Sequence, residues 1–287
     1  MMKMKNFNHL QQLKKAGLII PLLVFYIFAM PVKAQFISCG TILQQEQIDL
    51  EVSFNTSSVS FVEEFKSLSV NIQVVNDKSG AAGITETAIY NAIESLNENF
   101  TGSFIRFTVC DIQYIENYQY NSISTSNESE LINKYLAPKM INVFVVEQLA
   151  DYAGNPVCAY TYYPSANKNY IIIAKDCFNS IDITHQMGHL FGLYHTHETV
   201  FDKETPKGTN CSTSGDLICD TPADPMLAGK VDNDCIYTAS TKLEGEYYIP
   251  EVTNFMSFSR PSCMCEFSEE QNKRMQAAFY TYKSDLW

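Results

Sequence analysis

Basic residues are scarce in this chain. Its 287 residues hold 20 Lys and Arg against 32 Asp and Glu, a formal charge of −12. Five of the lysines, Lys3, Lys5, Lys14, Lys15 and Lys33, fall within the first 34 residues, where there is no acid; without those residues the formal charge is −17. A surface that acidic disfavours nucleic acid and anionic membranes as partners. It suits calcium, cationic substrates or simple solubility. No apolar run after residue 34 is long enough to span a bilayer. Internal repeats and low-complexity tracts are also missing, which excludes solenoids and arrays. Histidine is rare at five residues, so the placement of each one carries weight.

The lysine-rich start precedes an apolar run from Ala16 to Val32 and then Val32-Lys33-Ala34. That order predicts a signal peptide over residues 1–34, cleaved after Ala34. Pro21 and Pro31 interrupt the run and argue against an uncleaved anchor. The expected location is therefore secreted, periplasmic or extracellular. Residues 35–66 are polar with weak periodicity and read as a pro-segment or N-terminal extension. Residues 67–287 suit one domain, and no further domain is expected after it.

All nine cysteines follow the expected signal, at 39, 110, 158, 177, 211, 219, 235, 263 and 265. In an exported chain most should be paired. Five lie between Cys211 and Cys265, where they would staple the long irregular segment 197–252. Nine is odd, and Cys39 is the candidate free thiol; the alternative is an ordinary disulfide.

Three of the five histidines sit in His185-Gln186-Met187-Gly188-His189-Leu190-Phe191-Gly192-Leu193-Tyr194-His195. His185 and His189 are four residues apart, so on a helix they share one face. Two imidazoles so placed can bind one Zn²⁺. Gly192 can end the helix and turn the chain, letting His195 return as a third ligand. Three protein ligands and one open position are the layout of a catalytic zinc site. His197 fits no ligand position and reads as a surface or supporting histidine.

This spacing resembles the long zinc motif of the metzincin metalloproteases, HExxHxxGxxH. Tyr194-His195-Thr196, Gly215-Asp216 and Asp220-Thr221-Pro222 resemble the pappalysin-like branch, which includes ulilysin and pregnancy-associated plasma protein A. Asn254-Phe255-Met256-Ser257-Phe258 is similar to its Met-turn, whose methionine, here Met256, lies beneath the metal. The resemblance runs from about Ser67 to the C-terminus. It implies an α+β fold: a twisted mixed sheet and zinc helix above a cleft, and below it a loop-rich, disulfide-stapled subdomain with the Met-turn and a C-terminal helix. It implies zinc as cofactor and a peptide or protein in the cleft. It also implies latency through Cys39, since Cys39-Gly40-Thr41 is similar to a pro-segment context whose cysteine takes the open zinc position in related proteases.

Two positions depart from the family pattern. Gln186 stands where the family has the glutamate that takes a proton from water and passes it to the leaving amine. An amide cannot accept and return that proton at neutral pH, and a placed general base is worth about 10²–10⁴ in rate. Phe258 stands where the family usually has a tyrosine whose hydroxyl stabilises the tetrahedral intermediate. One lost donor of that kind costs about 10²–10³. The reading is an impaired enzyme, a pseudoprotease. The alternative is an active zinc endopeptidase with a substitute base such as Glu198 or Asp182. Asp216, Asp220 and Thr221 match family residues that help hold a structural calcium; the competing reading is a set of turn residues. Pro261 stands where relatives that prefer basic residues carry an aspartate, so that preference does not carry over.

Local patterns agree with the layout. Ser67–Val75 alternates like a half-buried strand. Thr85 precedes a helix ending near Asn99. Further strands are expected at Phe104–Ile112, Ile141–Val146 and Tyr170–Ala174, and the zinc helix begins near Ser180. Ser268-Glu269-Glu270-Gln271 is a capping box that opens a C-terminal helix.

Overall fold

A computed structural model describes residues 39–41, 43, 48 and 60–286. The expected signal peptide, 1–34, lies outside the described residues, as does most of the expected extension at 35–66. Strands β1 (Lys66–Val75), β2 (Ile105–Ile115), β4 (Ile141–Val146), β6 (Ala159–Tyr160) and β7 (Tyr170–Ala174) form a sheet in the order β2-β1-β4-β7-β6. Four run parallel and β6 runs antiparallel to β7 at one edge. Short strands β3 (Ser122–Ser124) and β5 (Gln148–Ala150) pair separately, as do β8 (Lys242–Leu243) and β9 (Glu246–Tyr247).

Parallel strands bury both faces, and the central residues are apolar on both. Ile141, Val143, Val145, Ile171 and Ile173 pack into one core with the helices. Phe144, Val146, Tyr170 and Ile172 pack into another on the opposite face. The alternation in β1 does not signal solvent. Its polar Asn71 and Gln73 are buried, and the Gln73 amide donates to Asn142 Oδ1 at 3.0 Å and to the Tyr135 carbonyl at 2.9 Å. The Gln73 amide nitrogen thus meets polar groups of the protein in place of water.

Helix α1 (Glu86–Asn99) starts at Thr85, whose hydroxyl oxygen accepts from the Ala88 amide at 3.2 Å. Its buried Ile89, Ala92, Ile93 and Leu96 form the expected apolar stripe. Helix α2 (Ser129–Tyr135) is short and was not legible as a helix. Helix α3 (Ser180–Leu190) carries two of the histidines and packs beside α1. Helix α4 (Glu269–Ala278) opens with both halves of the capping box formed around Ser268 and Gln271.

Between α3 and α4 the chain is mostly loop. Two disulfides, Cys211–Cys219 and Cys235–Cys263, staple it, and a small core of Leu227, Val231 and Cys263 lies within it. A third, Cys158–Cys177, ties the start of β6 to the approach to α3. The single free thiol expected from the odd count is corrected to three: Cys39, Cys110 and Cys265. Cys110 falls on the exposed surface of edge strand β2, at the register shift that skips it, and Cys265 is exposed, so neither has a cysteine to meet.

Candidate metal centre

Helix α3 is fixed at both ends. Asn179 Oδ1 accepts from the Ile181 and Asp182 amides at 2.9 and 3.0 Å, filling orphan donors of the first turn. At the other end Gly192 has φ of +85°, a conformation that favours glycine. The Leu193 amide donates back to the Gly188 carbonyl at 3.0 Å and the Gly192 amide to His189 at 2.9 Å, a glycine-terminated helix stop. Arg274 Nε of α4 donates to the freed Gly192 carbonyl at 2.6 Å. The chain turns there and brings His195 back to the helix.

The three imidazoles converge through their Nε2 atoms. His189 Nε2 is 3.0 Å from His185 Nε2 and 3.1 Å from His195 Nε2. The opposite nitrogens of two rings are committed: His185 Nδ1 donates to the Phe255 carbonyl and His189 Nδ1 to the Leu193 carbonyl, each at 2.7 Å. A carbonyl only accepts, so the proton sits on Nδ1 and Nε2 presents a bare lone pair. Burial also pushes His185 down to about 4 and His189 and His195 well below the usual range, so all three are neutral. Bare lone pairs about 3 Å apart in a buried pocket repel unless a cation sits between them. The donor set therefore fits zinc.

Cys39 completes the group. Its Sγ is 3.5 Å from His189 Nε2, and the four ligand atoms lie within 4.8 Å of one another. Among the described residues no other group of three or more His, Cys, Asp or Glu meets that spacing. Burial raises the Cys39 thiol pKa, partly offset by hydrogen bonds from Thr41 and Gln186.

Gln186 lies one residue from His185 and is buried. Met256 lies beneath the helix in a tight turn: its amide donates to Asn254 Oδ1 at 2.9 Å, and Asn254 and Gln271 exchange side-chain bonds of 2.9 and 3.1 Å. Phe258 packs on His195 at 4.7 Å and on His197 at 4.5 Å between ring centroids. His197 stacks on His195 at 4.9 Å between ring centroids. His195 and His197 border a cavity of about 400 Å³ that also takes in Glu198, Glu204 and Asp224.

The possible substitute bases are otherwise engaged. Asp182 accepts from Asn179 Nδ2 at 2.5 Å, and burial raises it to about 6. Glu198 Oε1 accepts from the Thr199 and Val200 amides at 2.7 and 3.0 Å. The three residues grouped as a calcium candidate divide. Thr221 donates to both oxygens of the buried Asp216, at 3.1 and 3.0 Å. Asp220 turns to α4, where it accepts from Ser268 Oγ at 2.6 Å and the Glu270 amide at 2.8 Å. Glu204, missed in sequence, is the acid beside Asp216; burial raises Glu204 to about 7, and burial, with a lesser contribution from the charge of Glu204, holds Asp216 well above the carboxylate range. It stands alone in a loop without periodicity, and no local pattern singled it out.

Residues 124–280 match the family described as pregnancy-associated plasma protein-A. An extracellular metalloprotease of Sordaria macrospora is 23% identical over 262 residues, 85% of each chain. Another, of Arthroderma gypseum, is 26% identical over 264 residues, 83% of this chain and 82% of its own. Among solved structures, mature mirolysin of Tannerella forsythia in complex with a cleaved peptide has a TM-score of 0.56 at 17% identity, covering 78% of this chain and 96% of its own. Promirolysin of the same organism also reaches 0.56, at 18% identity over 84% of this chain and 87% of its own. With its histidine cluster, Met-turn and mixed sheet, this chain belongs to the pregnancy-associated plasma protein-A family of metzincin metalloproteases.

Proposed function

We propose that this protein is an exported, zinc-binding member of its family in which peptide hydrolysis is impaired, so that its cleft binds a peptide segment without turning it over. The observation that carries the reading is the pairing of an intact three-histidine donor set with an amide at Gln186. Zinc held by His185, His189 and His195 supplies Lewis acidity. The remaining work falls to this chain's side chains. Gln186 can orient a water by hydrogen bonding but cannot take its proton. Phe258 offers an apolar ring to His195 where the resemblance implies a hydroxyl. Cys39 stands against the histidines as a fourth ligand that would keep the cleft closed.

The relatives named as extracellular metalloproteases and the lysine-rich leader support export. The pairing of Asp216 with Thr221 and Glu204 supports a cation-stabilised loop, with calcium as the ion its oxygen donors suit.

The test is cleavage of a broad peptide library by the protein with Cys39→Ser, zinc-loaded, beside Gln186→Glu, Phe258→Tyr and double variants in that background, with a chelator control. Cleavage by the double variant alone supports the reading. Chelator-sensitive cleavage with Gln186 still in place overturns it and points to a substitute base, of which Asp182, one turn before Gln186 on α3, is the first to mutate.

A further inference from the structure

Buried Glu128 gathers three tyrosines on the face of the sheet away from the histidines. Tyr160 donates to its Oε2 at 2.6 Å, and Tyr162 and Tyr170 donate to Oε1 at 2.6 and 2.7 Å. All four residues are buried, and the three rings belong to the second core. Lys168 Nζ lies 3.5 Å from Oε1 and 3.6 Å from the centre of the Tyr162 ring. Burial, and after it the Glu128 carboxylate, push the three phenols well above their ordinary range, so each keeps its proton and donates. The tyrosines bracket the connection between β6 and β7: Tyr160 ends β6, Tyr170 opens β7, and Tyr162 lies between them. Thr161 closes the same stretch by donating to the Tyr170 carbonyl at 2.7 Å. The next side chain, Tyr163, goes to the other face. Its ring meets the His189 ring edge-on at 5.5 Å and lies 5.1 Å from that of Tyr194, between centroids. Pro164 reaches the turn at Gly192, 3.5 Å from where a Cβ would stand. Extended chain sends successive side chains to opposite faces, so a shift that moves Tyr162 moves Tyr163 with it.

We infer that Glu128 is a positioning residue for His189, acting through Tyr163 from the opposite side of the sheet. The inference rests on the zinc reading for what His189 holds; the contacts themselves need no metal. The bond from His189 Nδ1 to the Leu193 carbonyl fixes which nitrogen is bare, but a single hydrogen bond leaves an imidazole free to rock about it. The Tyr163 ring limits that rocking, and Glu128 limits where Tyr163 can be. Glu128→Gln exchanges one acceptor oxygen for a donor amide. The remaining oxygen has two lone pairs for three hydroxyls, so at least one buried phenol loses its acceptor, and Lys168 loses its charge partner. Glu130 on the same helix is a matched reference: it accepts from the Tyr120 hydroxyl, outside the β6–β7 connection, at 3.1 Å.

Cobalt(II)-substituted protein tests the inference, because the visible bands of bound cobalt report the geometry of its ligands. Wild type, Glu128→Gln, Tyr163→Leu, the double variant and Glu130→Gln are compared for band positions and for the rate of zinc release to a chelator. The expected result for Glu128→Gln is displaced bands and roughly tenfold faster release, the scale of a lost contact behind a metal ligand. Glu130→Gln should behave as wild type. The double variant should release zinc no faster than Tyr163→Leu, because the two residues act in series. Wild-type bands and rate in Glu128→Gln, equal changes in Glu130→Gln, or effects that multiply in the double variant overturn the inference. If Glu128→Gln does not fold, Tyr162→Phe, which removes one donor and keeps the ring, takes its place. Should wild type bind no metal, the zinc reading fails, and NMR of the metal-free protein decides the link: the His189 ring signals move in Glu128→Gln if it holds, and stay in place if it does not.

Discussion

The sulfur of Met256 occupies the space a side chain at position 188 would need: a Cβ built on Gly188 lies 2.5 Å from Met256 Sδ. Glycine in a helix interior ordinarily costs about 1 kcal/mol against alanine. Here it lets the Met-turn approach the helix between His185 and His189. The expectation for Gly188→Ala is a loss of about 1–3 kcal/mol, the range for overpacking, despite the gain in helix propensity. Chemical denaturation would show it. A variant more stable than wild type would mean the turn gives way without cost.

Zinc content should follow the histidines one by one. His189→Ala removes the ring whose Nε2 is close to both other ligands, and bound zinc should fall from about one per chain to near zero. His197→Ala, which removes only a stacked ring, should keep most of the metal. Equal loss in both would make His197 a ligand and reopen the assignment.

Glu204 predicts a pH effect of definite sign. Its folded pKa, about 7, lies above its ordinary 4.5 because burial penalises the charge. Between those values the folded state holds a proton that the unfolded state has lost, so stability is full below about 4.5 and declines as pH rises toward 7. In metal-free protein Tm should fall across that window, and Glu204→Gln should flatten the fall. Calcium, if it binds there, should restore Tm at neutral pH. A Tm that rises over this window in wild type and not in Glu204→Gln would contradict the sign.

Asp216 and Asp220 should behave differently despite their shared motif. Asp220 ties the loop to the first turn of α4, and Asp220→Ala should cost about 1 kcal/mol, as the loss of a helix cap does. It should leave any calcium response intact. Asp216→Asn should abolish that response. Calorimetry with and without calcium separates the two.

The Cys158–Cys177 bridge encloses a 19-residue separation, and its removal by Cys158→Ser with Cys177→Ser should cost about 3 kcal/mol by loop entropy. Because it clamps β6 beside the approach to α3, labelling of Cys39 by iodoacetamide should rise as well. Unchanged labelling would show that β6 holds its place without the clamp.

Much of the frame was legible because it is local. The strands at 141–146 and 170–174 are short apolar runs, the helix caps at Thr85 and Ser268 are sequence signatures, and His185, His189 and His195 declare themselves by spacing. What escaped was not local. β6 is two residues long and is a strand only because β7 lies beside it. Gln73 alternates as if facing water, yet it bonds Asn142 and the end of α2. Glu204 is an acid in a loop until Asp216 is folded against it. Asp220 and Asp216 are indistinguishable in sequence, and only the arrival of α4 separates them. Gln186 read as a loss; its hydrogen bonds to Cys39 and from Thr41 are made by residues some 145 positions away.

Helix α4 reaches the metal site through two side chains: Arg274 holds the Gly192 carbonyl at the turn toward His195, and Gln271 holds Asn254 of the Met-turn. The histidines are complete by residue 195, but Phe255, whose carbonyl holds His185, and Gln271 and Arg274 come about sixty to eighty residues later. Before α4 docks, the turn toward His195 and the Met-turn lack these bonds. The histidine cluster is thus completed late in the chain, when α4 docks against the turn at Gly192 and the Met-turn.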